Sequence, residues 1–170
     1  MAGVVERKGE VPAQVVHALS GVAARAGQRL QVDFEATASQ RPFYRALLDD
    51  LRSALGPRAG ISITALASWC LGDRWLAGLP VDEVVPMLYR LGPRRAEVEE
   101  ALGRGSGFPA PECRAAIGLS VDEPGRLDAA LEPAPRRRYL FSDRAWSAAS
   151  LRALVGGAKG APLARAGGPQ

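Results

Sequence analysis

The segment Leu30-Gln-Val-Asp-Phe-Glu35 sets two carboxylates, Asp33 and Glu35, two residues apart. Side chains alternate between faces along a β-strand. Leu30, Val32 and Phe34 would therefore share one face, and Gln31, Asp33 and Glu35 the other. Paired carboxyls at a strand end suit general acid–base chemistry. One carries the proton; its neighbour hydrogen-bonds to it and raises its pKa through like charge and burial. The competing reading is structural, with both groups bonded to arginines and adjacent strands.

Other candidates fall at strand ends. Tyr89 offers a hydroxyl for a substrate carbonyl or a reacting oxygen. Arg90 can bind a carboxylate or phosphate bidentately, or neutralise Asp33 and Glu35; Asp143 and Arg144 occupy similar positions. Trp69 is either a stacking platform or a core aromatic. Ala116, Gly118, Ser120 and Asp122 alternate onto one face, where small residues leave room for a ligand. Asp122 is either a second carboxylate or part of an acidic turn before Pro124.

These residues need a scaffold. Val4-Val5 reads as the end of a strand. Pro12 suits the first turn of a helix, in which Val15, Val16, Leu19, Val22 and Ala23 recur at helical spacing up to Gly27. Strand 30–35 follows. A second helix carries Phe43, Leu47, Leu48, Leu51 and Leu55 on one stripe. Strand 61–67, a short helix around Trp75, Leu76 and Leu79, and strand 84–89 come next, with Pro86 a mark against a central position. A helix over 93–102 and strands at 115–121 and 138–141 complete the pattern. Alternation of this kind predicts an α/β fold with a parallel sheet and helical crossovers. Residues 1–155 form the expected domain; the Gly/Ala/Pro-rich stretch 156–170 reads as a disordered tail.

The chain has 170 residues, 47% apolar and 24% charged, with a formal charge of +4. That composition is globular. Its only strong basic run, Arg136-Arg137-Arg138, lacks interleaved aromatics, so no nucleic-acid partner is expected. No apolar stretch of about 18 residues is present, so no membrane span is expected. The N-terminus shows no signal-peptide pattern, which points to a cytoplasmic protein by default and an exported one if the true start lies upstream. Cys70 and Cys113 read as structural thiols. The single histidine, His17, has no neighbouring ligand residues, so no metal or cofactor is expected. No GxGxxG after a strand, GxxxxGK[ST] or GxSxG occurs.

The blocks Leu30–Thr37, Ile61–Cys70, Asp82–Tyr89 and Gly118–Pro124 resemble an uncharacterised bacterial family known only as a domain of unknown function. Its members in turn resemble TIM-barrel glycoside hydrolases of the chitinase type. The likeness covers about residues 3–146. It implies a partial (β/α) TIM-like barrel, about strands three to eight, where a closed barrel has roughly eight. It also implies that Glu35 protonates a glycosidic oxygen, as the Glu of an Asp-x-Glu pair on strand four. Met87-Leu-Tyr89 matches a Met-x-Tyr pattern, Met87 filling the barrel; Arg90 departs from the Asp that normally follows. Gln31, Arg29 and Gln28 stand where such barrels extend the acidic motif. Asp122 becomes the second carboxylate, needed at roughly 5 Å for a retaining mechanism with a protein nucleophile and roughly 6.5–9.5 Å for an inverting one. Trp69, Tyr89, Arg90 and Trp146 become substrate-binding residues, Trp146 as an aromatic floor. The implied function is a glycoside hydrolase-like barrel acting on or binding polysaccharide. The alternatives are a non-catalytic glycan- or ligand-binding barrel and an inactive truncated fragment.

Overall fold

The computed structural model describes residues 11–103, 107–123, 136–149 and 152. The expected strand at Val4-Val5, the domain boundary at 155 and the 156–170 tail lie outside the described residues. Helix α1 (Ala13–Arg25) starts after Pro12. It closes with a hydrogen bond from Gln28 N–H to Ala23 O (2.8 Å) around Gly27 at φ +66°. A left-handed residue is what this terminating loop requires, and glycine adopts it without a Cβ clash. Strand β1 (Arg29–Val32) follows, then α2 (Arg41–Leu55), β2 (Gly60–Leu66), β3 (Glu83–Met87), α3 (Arg95–Gly103), β4 (Ala116–Ser120) and β5 (Arg137–Phe141).

All adjacent pairs are parallel and the spatial order is β1-β2-β3-β4-β5. Strands added in one direction keep their crossovers on one side, unlike the two-sided doubly wound sheet. The result is a five-stranded α/β sheet curled as a half-barrel. The expected α/β class and parallel pairing hold. Its core lies on the helix side: Leu30, Val32, Ile61, Ile63, Ala65, Val84 and Ile117 pack with Tyr44, Leu47, Leu48 and Leu51 of α2 and Val98 and Leu102 of α3. Fully buried leucines such as Leu48 and Leu51 contribute roughly 1.5–3 kcal/mol each. No described helix is long and apolar enough to cross a membrane.

Three local expectations change. The first strand ends at Val32, short of Asp33 and Glu35. The short helix after β2 is instead a pair of 3-10 turns, Ala67–Leu71 and Arg74–Leu76, separated by Gly72 at φ +153°. Pro86 lies in β3, the central strand, and is buried. The β3–β4 ladder carries the single register pair Met87↔Gly118, with Leu88 N–H donating to Gly118 O (2.8 Å). Pro86 stands just before that pairing, where its missing N–H removes the fewest ladder bonds.

Arg52 ties α2 to the strand entrances. Its guanidinium donates to the carbonyls of Ala59 (2.7 Å), Pro80 (3.1 Å) and Gly56 (3.3 Å) and to Asp82 (2.7 Å). Asp82 also accepts from Ile61 N–H (2.7 Å). Burial opposes ionisation of Asp82, but the Ile61 N–H and Arg52 outweigh it and hold its pKa below the usual carboxylate range.

The two cysteines are not free thiols. Cys70, in the turn after β2, and Cys113, in the turn entering β4, form a disulfide with Cα atoms 5.9 Å apart. Both turns are further joined by Ala110 N–H to Cys70 O (3.2 Å). A separation of 43 residues gave no sign of this proximity. Closing a loop of that length is worth about 4 kcal/mol in the chain-entropy account. The C70A/C113A double variant is therefore expected to unfold at markedly lower denaturant concentration than the oxidised chain. Reductant should move the native protein toward the same midpoint and leave the variant unchanged.

Candidate functional site at the acidic rim

The sheet face opposite the described helices is built by the residues between the core positions. Ser62 and Thr64 of β2, Glu83, Val85 and Met87 of β3, Ala116 and Gly118 of β4, and Tyr139 and Phe141 of β5 occupy it. Small residues on β4 let side chains from β3 and β5 meet above that strand. A Cβ on Gly118 would sit 3.0 Å from the Phe141 ring and 3.5 Å from Val85. The space expected to admit a ligand beside Ala116 and Gly118 is therefore filled by Phe141, whose ring lies 5.5 Å from Tyr89.

The alternation of residues 30–35 continues beyond the ladder. Phe34 turns to the helix layer, where its ring packs edge-on to Tyr44 (5.1 Å) and Phe43 (6.4 Å). Asp33 turns the other way. Its Oδ1 accepts a 2.6 Å hydrogen bond from the hydroxyl of Thr64, the one buried polar residue of the described core. Glu35 is exposed and forms no hydrogen bond or ion pair with the described residues. The chain then re-enters a helix through Thr37, whose N–H donates to Gln40 Oε1 (2.9 Å) in a reciprocal capping box.

Tyr89 stands opposite these acids. Burial, then the charge of Asp33, then that of Glu35 and Asp143 push its phenol up to about 12, against the opposing pull of Arg90. Its hydroxyl donates to Met87 Sδ (3.3 Å). Asp33, Glu35 and Tyr89 thus share one electrostatic neighbourhood at the C-terminal ends of β1 and β3. That neighbourhood is the candidate site.

The other expected residues are engaged in contacts of their own, although the charge of Arg90 also acts on Tyr89. Asp122 is committed to the exit of β5: Oδ2 accepts from Asp143 N–H (2.8 Å) and from the Ser142 hydroxyl (3.2 Å), and Oδ1 lies 3.6 Å from Arg144. Its role is that of an acidic turn. Arg90, at φ +51°, is spent on Asp143 (2.6 Å), while its N–H donates to Glu123 (3.2 Å). It neutralises a rim acid other than Asp33 or Glu35. Trp69 is 4% exposed and packs edge-on to Trp75 at 4.8 Å. It is a core aromatic with no ring face left for a sugar. Trp146 is 41% exposed, past the end of β5, with no ring contact to a described residue. No cluster of three or more metal-ligating side chains occurs among the described residues.

Sequence reasoning missed Thr64, which anchors Asp33, and Phe141, which backs Tyr89. The alternation Ile61-Ser-Ile-Thr64 held the first signal: a hydroxyl on the face opposite the isoleucines. The chain matches no family model, no curated protein and no solved structure. The class that fold and site define is an α/β half-barrel with an open acidic rim.

The raised Tyr89 pKa has a pH consequence. Above the ordinary tyrosine pKa of 10, an unfolded chain loses this proton while the folded one keeps it. Stability linked to Tyr89 is therefore present below pH 10 and lost as pH rises toward about 12. Tyr89→Phe should flatten that part of the alkaline stability curve. Asp33→Asn should move the phenol downward in a tyrosinate absorbance titration; an unmoved titration would show that the two groups do not share a site.

Proposed function

We propose that this chain is a section of a TIM-like barrel that binds a saccharide at its C-terminal rim. Asp33 and Tyr89 hydrogen-bond sugar hydroxyls, and Glu35 completes the polar wall. The observation that supports this reading is that Asp33, held by the Thr64 hydroxyl at 2.6 Å, and Glu35 both act by their charge on Tyr89 at the C-terminal strand ends. The strand order adds support, since parallel strands laid down in sequence with helices on one side are the way such a barrel is built. Carboxylates and a phenol make a hydrogen-bonding set for a neutral polyol, and the Phe141–Tyr89 pair lends apolar surface.

Binding is favoured over hydrolysis by two features. A glycosidase acid works from a dry pocket, whereas Glu35 is exposed. The expected second carboxylate, Asp122, is tied to the β5 exit loop.

Calorimetric titration with β-linked oligosaccharides of glucose, xylose and N-acetylglucosamine tests the reading, together with an assay for new reducing ends. Saturable binding without cleavage is expected. Asp33→Asn or Tyr89→Phe should weaken it by roughly tenfold, the worth of one hydrogen bond to a charged or well-placed group. Cleavage abolished by Glu35→Gln would replace the binding reading with a hydrolytic one. Absence of binding to every sugar would reject both.

A further inference from the structure

The opposite end of the same face holds a second, chemically different site. There the N-terminal ends of the strands surround a cleft of about 550 Å³, within the range of roughly 300–1,000 Å³ that small-molecule sites occupy. Two acids line it, and both are neutralised. Asp82 is paired with Arg52 at 2.7 Å, and Glu83 with Arg137 at 2.9 Å and with the Tyr139 hydroxyl. Three arginines line it as well: Arg137, held by Glu83, and Arg29 and Arg58, neither of which forms a hydrogen bond or ion pair with a described residue. Among the described residues, nothing compensates these last two guanidinium groups.

Unused hydrogen-bonding groups stand beside them. Gln31 and Ser62 face each other across the β1–β2 ladder and both line the cleft. Neither side chain has a partner among the described residues. The backbone of the wall is also constrained. Gln28 sits at φ +65°, directly after Gly27 at φ +66°, and is held there by bonds at both its N–H and its carbonyl. A non-glycine residue kept in that region is a mark of sites where geometry matters more than local comfort.

We propose that this cleft binds a small phosphate-bearing molecule, Arg29 and Arg58 holding the phosphate and Gln31 and Ser62 the polar remainder. Each guanidinium presents a planar fork of donors that matches an oxyanion. Two free positive charges match a phosphate dianion better than a single carboxylate. Among the described residues, the only aromatic side chain lining the cleft is Tyr139, which is bonded to Glu83, so they offer no free stacking surface of the kind nucleic-acid strands use. The proposal is independent of the rim site and concerns the other end of the sheet.

The test is a thermal-shift and calorimetric titration with inorganic phosphate and glycerol 3-phosphate, against glycerol, acetate and sodium chloride at matched ionic strength. Both phosphates should raise the melting temperature in a saturable way; glycerol, acetate and chloride should not. The R29A/R58A double variant should lose at least tenfold in phosphate affinity, as expected for removing two charge-assisted contacts. Arg58→Glu, a surface substitution that keeps β1 intact, should abolish the phosphate shift. Asp33→Asn should leave it unchanged. Equal shifts with acetate or chloride, or a phosphate response that survives in R29A/R58A or Arg58→Glu, would overturn the proposal.

Discussion

Helices cover one face of this parallel sheet, and the rest of the molecule follows from that asymmetry. Parallel strands are ordinarily buried on both sides. Here Leu30, Val32, Ile61, Ile63 and Val84 meet the helices, while the reverse face must be closed by its own side chains. The described helices α1, α2 and α3 send their core residues to the first face. The reverse face holds small buried residues, bridges across the sheet and polar groups at its two ends.

The bridges depend on β4. Ala116 and Gly118 add almost no bulk, so Glu83 of β3 reaches Tyr139 and Arg137 of β5 at one end. Phe141 folds onto Gly118 and toward Tyr89 at the other. The two ends thereby acquire opposite characters. At the N-terminal end the acids are consumed in ion pairs, and Arg29 and Arg58 have no partner among the described residues. At the C-terminal end Arg90 and Arg144 are consumed by Asp143 and Asp122, and free carboxylates remain. One sheet face so carries a cationic mouth and an anionic rim, from a chain whose formal charge is only +4.

Much of the framework was legible because periodicity reports burial. The stripe Leu47, Leu48, Leu51 placed α2, and the alternation in Ile61-Ser-Ile-Thr64 placed β2 and its two faces. What failed depended on contacts distant in sequence. The disulfide joins turns 43 residues apart. The fate of Asp122 is decided by Ser142 and Asp143, and that of Trp69 by Trp75 and the surrounding core. Pro86 misled for a different reason: the rule against proline in central strands presumes a full ladder on both sides, and β3 pairs with β4 only at its end. In the site, the face on which Asp33 and Glu35 lie followed from alternation alone, whereas their partners did not.

Asp33 and Glu35 show how two like residues in one short motif come to different ends. Asp33 is the first residue past the ladder, so the Thr64 hydroxyl on the neighbouring strand still reaches it at 2.6 Å. Ordering of that carboxylate is inherited from the sheet. Glu35 lies two residues further, after β1 has separated from β2 and before the Thr37 capping box fixes the start of the next helix. No described residue of the sheet or the cap bonds it, so fixing its side chain in a bound state would cost roughly 0.5–1.5 kcal/mol. In the proposed saccharide site, the fixed acceptor would set where a hydroxyl sits, and the freer one would adapt to whatever extends beyond it. Catalysis would ask the reverse of Glu35, a carboxyl already held in place before the substrate arrives.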